Sequence, residues 1–410
     1  MSRYRFFIAL ALYFATLTVI KLFGSLEYDD AEQALISTVL RPGYDNAQPP
    51  LYNYLQYLFF NIFGYGKFAI FLLKHLILFG IYISIYLFAL DLTKSYQKAI
   101  TAAILTLFLP QVVWQSELML NHSVLAALLG VLFLWQVYRT DKEPSFKNFA
   151  LIGLIGALGF LAKYSFALLF LTFLVYALVK RYKISYIFLS IALFLLISSP
   201  HLLWLAENIN SVKAATLHKT SHGKGALSAL FSLVKSTLAF LGPLIVALLF
   251  LKADLKKIDR NFLLFYAILF SILTLLALFG IVDSYKERWM LPFLTPIPAL
   301  LAPAVNYSRR LELAGYGVLI LMVVFYLLKI FYPDIAKPTN SNLPIKELSQ
   351  ALPEGMVAGD NVVLRGNFAL YRNGTRKLYL SKEPKPGYKK ICRPYLHSKK
   401  EFCIYYKEEI

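Results

Sequence analysis

The chain has 410 residues, of which 58% are hydrophobic, 16% aromatic and 16% charged, with a formal net charge of +19. A soluble domain is about 45–50% apolar and about 25% charged. Too few polar side chains are present to cover a globular surface, so a water-soluble enzyme and a disordered chain are excluded. The long unbroken apolar runs imply an all-α polytopic membrane protein, because lipid leaves open backbone groups unsatisfied and a barrel would need short alternating segments.

Arg3 and Arg5 precede the first apolar run, and no small-residue cleavage site follows it, so it reads as a retained helix. Further runs make eleven expected spans in all, at 6–24, 67–90, 98–113, 121–138, 148–163, 164–179, 184–206, 226–251, 261–281, 290–305 and 313–332. A crossing takes about 20 residues; the runs at 148–163 and 164–179 are short for one, which implies tilted or broken helices. With the N-terminus inside, the expected cytoplasmic connections hold 16 Lys/Arg in 42 residues and the opposite ones 7 in 79. This positive-inside asymmetry puts the C-terminus outside. The basic excess is then topological and meets membrane lipids, so nucleic acid is excluded as a partner.

The expected division is a transmembrane catalytic domain over 1–332, with a first outer loop over 25–66, and a small α+β extracytoplasmic domain over 333–410. Residues 355–380 carry short apolar runs between Gly and Asn-Gly turn signals, which predicts strands. Cys392 and Cys403 are the only cysteines. Two thiols build no metal cluster, and outside the cytoplasm a disulfide is expected.

In the first outer loop, Tyr28-Asp29-Asp30 follows the first span directly. Ala31 to Leu40 has helical character until Pro42-Gly43 stops it, and a second helix begins at Pro49-Pro50, with Tyr52, Tyr54 and Tyr57 suited to the headgroup level. The acids have two compatible readings. Asp29 with Glu32 and Asp30 with Gln33 fit a capping box. Two adjacent, partly desolvated carboxylates at a membrane boundary also suit a general base.

The loop resembles that of the glycosyltransferase C superfamily, especially its protein O-mannosyltransferase-like and aminoarabinose-transferase-like branch. Asp29-Asp30 is followed by Tyr44-Asp45-Asn46-Ala47-Gln48-Pro49-Pro50-Leu51, with Gln48 where the family carries His or Glu-Lys. WQSELMLNHS (114–123), GLIGALGFLAKYS (153–165), SPHLLWLAENI (199–209) and DSYKERWMLPFLTPIPALLA (283–302) then follow in the family's order.

The resemblance implies an inverting transfer of a sugar from a polyprenyl-phosphate donor to a glycolipid or glycan acceptor. It would take place at the outer face of a bacterial inner membrane. By match, Asp29 is the base, Asp30 and Glu117 orient hydroxyls, and Tyr44, Asp45 and Gln48 bind acceptor or sugar. Lys163, Lys219, His222, Lys286 and Arg288 are the donor-phosphate candidates, since charge-assisted contacts to phosphate are strong. Blander readings stand beside these: a wet loop acid for Glu117, snorkelling for Lys163, an internal ion pair in Lys286-Glu287-Arg288, and interface anchoring for Trp114, Trp204 and Trp289. His218 and His222 lack the further ligands that zinc requires. A divalent ion at Asp29-Asp30 is unnecessary if cations meet the phosphate, so no cofactor is expected. The rival functions are a flippase of lipid-linked sugars, a non-catalytic assembly factor and a protein O-glycosyltransferase.

Overall fold

The computed structural model describes residues 4–44, 48–210, 225–372 and 376–408. Among the described residues, seven helices are long and apolar enough to cross a membrane: α1 (Arg5–Leu22), α4 (Lys67–Thr93), α7 (Asn121–Lys142), α10 (Ile184–Glu207), α11 (Gly225–Phe250), α12 (Arg260–Leu278) and α15 (Arg309–Phe331). The two amphipathic helices of the first loop are α2 (Tyr28–Ile36) and α3 (Leu51–Phe63).

Two expected spans are not simple helices. The run at 98–113 becomes α5 (Tyr96–Leu105) and a 3-10 turn, then bends by 71° into a π-turn (Gln111–Gln115) and the single turn α6 (Ser116–Leu118). Pro110 sits at the break, because a proline in a helix interior lacks an N–H and its ring clashes with the preceding turn. The run at 290–305 holds Pro292, Pro296, Pro298 and Pro303 and breaks into α13 (Leu291–Leu294), α14 (Ile297–Leu300) and a 3-10 turn. The short runs form α8 (Phe146–Ala162) and α9 (Phe166–Val179), separated by an extended Lys163. A 14-residue helix is only about 21 Å long.

The chain divides into two compact units, one of residues 41–52 and 77–315, the other of residues 2–40, 53–76 and 316–410. In the first unit α8 packs through a face of small residues. A Cβ on Gly153 would lie 2.5 Å from the main-chain O of Ser190 on α10, and one on Gly159 would lie 2.2 Å from the Phe166 ring.

The second unit contains the C-terminal sheet, in the order β1 (Met356–Ala358), β2 (Lys377–Ser381), β4 (Glu401–Glu408), β3 (Lys389–Pro394). After the single turn α16 (Pro333–Ala336), its core includes Leu343, Leu348, Leu364, Phe368, Leu378 and Ile404, with α17 (Ile345–Ala351) contributing Leu348. Residues 355–380 are not all strand, for Val362–Ala369 is helix α18, capped by Asn361 accepting from the Leu364 N–H at 3.0 Å. The reason is topological: β1 and β2 are parallel, and parallel neighbours need a crossover.

Cys392 and Cys403 face one another across the antiparallel β3–β4 pair and form the expected disulfide. Replacing both by serine should lower tail stability by about 2–3 kcal/mol. The check is a downward shift of the unfolding midpoint of the intact protein, reproduced by reductant on the unsubstituted chain.

Candidate active site

Helix α2 carries the acidic pair in its first turn, where carboxylates suit the positive helix end. Its N-cap is Glu27, with no side-chain cap bond, so the expected capping box does not form. The Glu27 carboxylate is instead taken by Lys329 of α15 at 2.6 Å and by the Ser341 hydroxyl at 2.6 Å. Lys67 Nζ closes the end of α1 by donating to the main-chain O of Leu22 and of Gly24, at 2.6 and 2.8 Å.

The two aspartates differ sharply in environment. Asp30 is 1% exposed and pairs with Lys74 of α4 at 2.6 Å, both side chains being out of solvent. Asp29 is half-buried. Further along, Asn53 of α3 donates to Gln33 Oε1 and Ser37 Oγ at 3.0 Å each, and Ser37 donates to Gln33 Oε1 at 2.7 Å. All three are buried. Tyr65 donates to the main-chain O of Ala34 at 2.8 Å, and burial pushes its phenol up to about 12. The helix is thus held along its length by polar contacts, which in low dielectric are strong when satisfied.

In the other unit, the irregular turn after Pro110 delivers Glu117 into a buried position, 2% exposed. It is therefore not a wet loop acid. π-turns of this kind are frequent at functional sites. Leu120, at φ +83°, then turns the chain into α7; a bulky residue there stores about 1–3 kcal/mol of strain.

Lys163, 9% exposed, donates to Ser123 Oγ at 2.5 Å and to the main-chain O of Arg288 at 3.1 Å. Its ammonium reaches inward rather than snorkelling, and it joins the segments 114–123, 153–165 and 283–302. Arg288 itself is exposed, and Lys286 lies over the Trp289 ring at 5.8 Å instead of pairing with Glu287. The connection before them is rigid: the Tyr285 N–H donates to Ser232 Oγ at 2.7 Å, and its hydroxyl donates to the Leu273 carbonyl at 2.6 Å. Burial pushes that phenol up to about 12.

The first-loop segment 41–44 rests on α10. His201 Nδ1 lies 2.7 Å from the Pro42 carbonyl, which makes it the donor, so Nε2 accepts from the Tyr164 hydroxyl at 3.1 Å. Trp204 covers Gly43, where a Cβ would fall 2.3 Å from the indole, so this tryptophan packs against the loop. The Tyr44 hydroxyl accepts from the Arg41 N–H at 3.1 Å, and Gln48 is half-buried. Asp45, Lys219 and His222, with His218, lie outside the described residues. Among the described residues, the one group of three or more His, Cys, Asp or Glu ligand atoms close enough to hold a metal is Cys392, Glu401 and Cys403, two of which form the disulfide.

A family model of dolichyl-phosphate-mannose-protein mannosyltransferases matches residues 47–204. The lipopolysaccharide core galacturonosyltransferase RgtB of Rhizobium johnstonii is 31% identical over 334 residues, covering 75% of this chain and 65% of the relative. The galacturonosyltransferase RgtA of the same organism is 29% identical over 329 residues, covering 75% and 64%. The chain thus spans just under two thirds of the length of these relatives. Among solved structures, ArnT from Cupriavidus metallidurans bound to undecaprenyl phosphate superposes with a TM-score of 0.69 at 12% identity, over 99% of this chain and 98% of that one. Its apo state gives 0.70 at 13%, over 98% and 97%. These structural matches give the chain an ArnT-like fold.

Beside that fold, the described residues of the chain hold seven helices long and apolar enough to cross a membrane and a small C-terminal sheet. Two residues that shape its acidic helix are absent from the reading of the sequence. Lys74 and its neighbour His75 sit inside an apolar run, where a charge is costly without a partner, and that cost was a usable signal. Asn367 lies in the tail, and nothing local marks it.

Removing one partner from a buried ion pair costs about 3–5 kcal/mol, whereas replacing both by apolar residues is often neutral. Lys74→Met should therefore destabilise the detergent-purified protein by about that amount, and Lys74→Met with Asp30→Leu should recover most of it, both read from thermal unfolding.

Proposed function

We propose that this protein is a membrane glycosyltransferase that moves a sugar from a polyprenyl-phosphate donor to a hydroxyl of a glycolipid, the lipopolysaccharide core or lipid A. The observation that carries this reading is the placement of the acidic pair on a braced helix: Asp30 is buried against Lys74, and Asp29 is half-buried beside it in the first turn. A general base needs that combination of fixed direction and access. The relation to lipopolysaccharide core galacturonosyltransferases supports the acceptor class and suggests galacturonic acid as the sugar to test first.

In the proposed reaction, the Asp29 carboxylate takes the proton of the acceptor hydroxyl as its oxygen attacks the anomeric carbon. The bond from that carbon to the phosphate oxygen breaks with inversion, and polyprenyl phosphate leaves with both electrons. Lys163 and Arg288, with Lys286, meet the phosphate charge, and Lys219 and His222 are further candidates for it. Glu117 orients sugar hydroxyls, and Tyr44, Asp45 and Gln48 contact acceptor or sugar. Asp30, expected to orient hydroxyls, is better placed to hold α2 through Lys74. Preorganised cations at the leaving group supply the electrostatic stabilisation that otherwise falls to a metal. We therefore infer no resident metal.

In this reading the chain crosses the bacterial inner membrane eleven times, by its seven long helices, the bent pair over 96–118 and the shorter apolar helices over 146–162, 166–179 and 291–304. The active site and the tail then face the periplasm, in keeping with the positive-inside asymmetry.

Asp29→Asn in the purified protein should reduce transfer from undecaprenyl-phosphate-linked galacturonic acid by on the order of 100- to 10,000-fold with donor binding retained. Lys163→Met should lower kcat by on the order of 100- to 1,000-fold, and EDTA should leave the rate of the unsubstituted protein unchanged. Full turnover by Asp29→Asn rejects the base. The match to a family described as protein mannosyltransferases favours one second reading, a Ser/Thr acceptor in a protein. Mass spectrometry of glycolipids and of glycopeptides from a deletion strain decides between the two.

A further inference from the structure

Helix α18 of the C-terminal domain lies directly on α2. Asn367, 1% exposed, accepts from the Leu26 N–H at 2.7 Å and donates to the Leu26 carbonyl at 2.9 Å, across 341 residues of chain. Its carboxamide therefore offers Leu26 the donor and acceptor that a neighbouring strand would offer. One turn away it also donates to the carbonyl of Val363 in its own helix, at 2.9 Å, which fixes the amide's orientation.

The adjacent Gly366 makes a second contact. A Cβ there would fall 2.0 Å from the main-chain O of Ala31 and 2.5 Å from its carbon, so no side chain fits without moving one helix away from the other. Leu370, just past the end of α18, packs on the small core of Leu26, Ala31, Ala34 and Phe60.

The two contact points bracket the acids. Leu26 is three residues before Asp29, and Ala31 is one residue after Asp30. Between them, Asp30 is tied to Lys74. The short segment carrying Asp29 is thus held at its entrance, at its far side and through its neighbour. An ordinary docked domain would not need a buried carboxamide matched to one loop residue.

We propose that the C-terminal domain is a working part of the reaction, with Asn367 a positioning residue and Gly366 the close contact that together set the direction of Asp29. This rests on Asp29 being the base. A misplacement of about 1 Å at a reacting group is enough to cost on the order of 100-fold in rate.

The experiment uses the full-length protein in detergent, with undecaprenyl-phosphate-linked galacturonic acid as donor and lipopolysaccharide as acceptor. Asn367→Ala should lower kcat by about 10- to 100-fold while KM for the donor stays within about twofold. Gly366→Ala should do the same or more. Cys392→Ser with Cys403→Ser, which weakens the β3–β4 pair and leaves Gly366 and Asn367 in place, should keep the original kcat below its melting temperature.

Hydrogen exchange on the same proteins should rise over residues 26–32 in Asn367→Ala and stay unchanged there in the cysteine variant. An unchanged kcat in Asn367→Ala, an equal loss in the cysteine variant, or unchanged exchange over 26–32 overturns the proposal. Asp29→Asn runs alongside: if it retains full turnover, the assignment of the base fails, whereas its inactivity beside an unaffected Asn367→Ala defeats the positioning role alone. If the unsubstituted protein does not transfer this donor, the exchange result decides whether Asn367 fixes the segment.

Discussion

The 2.6 Å contact between Asp30 and Lys74 is the interaction around which one unit of this protein is arranged. A carboxylate and an ammonium taken out of water are each unfavourable by several kcal/mol, and only close pairing with good geometry offsets that. Once the pair forms, α2 is fastened to α4 at the residue next to Asp29, and the remaining contacts follow the same logic. Glu27 is satisfied by Lys329 and Ser341, and Gln33 by Asn53 and Ser37. A short amphipathic helix that would be marginal in isolation becomes a fixed platform.

The other unit meets the same physical problem with backbone geometry. Pro110 breaks the helix, a π-turn and a left-handed Leu120 follow, and Glu117 ends up buried between them. Lys163 sits in an extended gap between two short helices, with Ser123 and the Arg288 carbonyl to receive its protons. Irregular backbone at membrane depth is tolerated where protein surrounds it, and each irregularity here coincides with a residue of proposed chemical use. His201 contributes through its tautomer: bonding to Pro42 on one nitrogen and Tyr164 on the other ties the first loop to α10.

Much of this is legible in the residues themselves. Apolar runs of spanning length mark the seven long helices among the described residues, Pro42-Gly43 and Pro49-Pro50 bound the two amphipathic helices, and the two cysteines of the tail form the disulfide. Other features are not. Hydropathy has no sense of direction, so the 71° bend at Pro110 and the fragmentation of 290–305 read as ordinary spans. Val362 and Val363 look like strand residues because β-propensity records side-chain type, while the helix there answers to the parallel pairing of β1 and β2. The apparent capping box fails because the helix begins at Tyr28, ahead of both aspartates, and Glu27 occupies the cap.

Composition and order along the chain were enough to determine that this is a helical membrane protein with acids after the first helix. Both follow from local physics: apolar runs must leave water, and charges must collect at the edges of those runs. That Asp30 is buried against Lys74 while Asp29 is half-buried was decided by the tertiary structure alone. That choice depends on a lysine 44 positions away and an asparagine 341 positions beyond its partner, and sequence carries no measure of which distant side chains fold to within 3 Å.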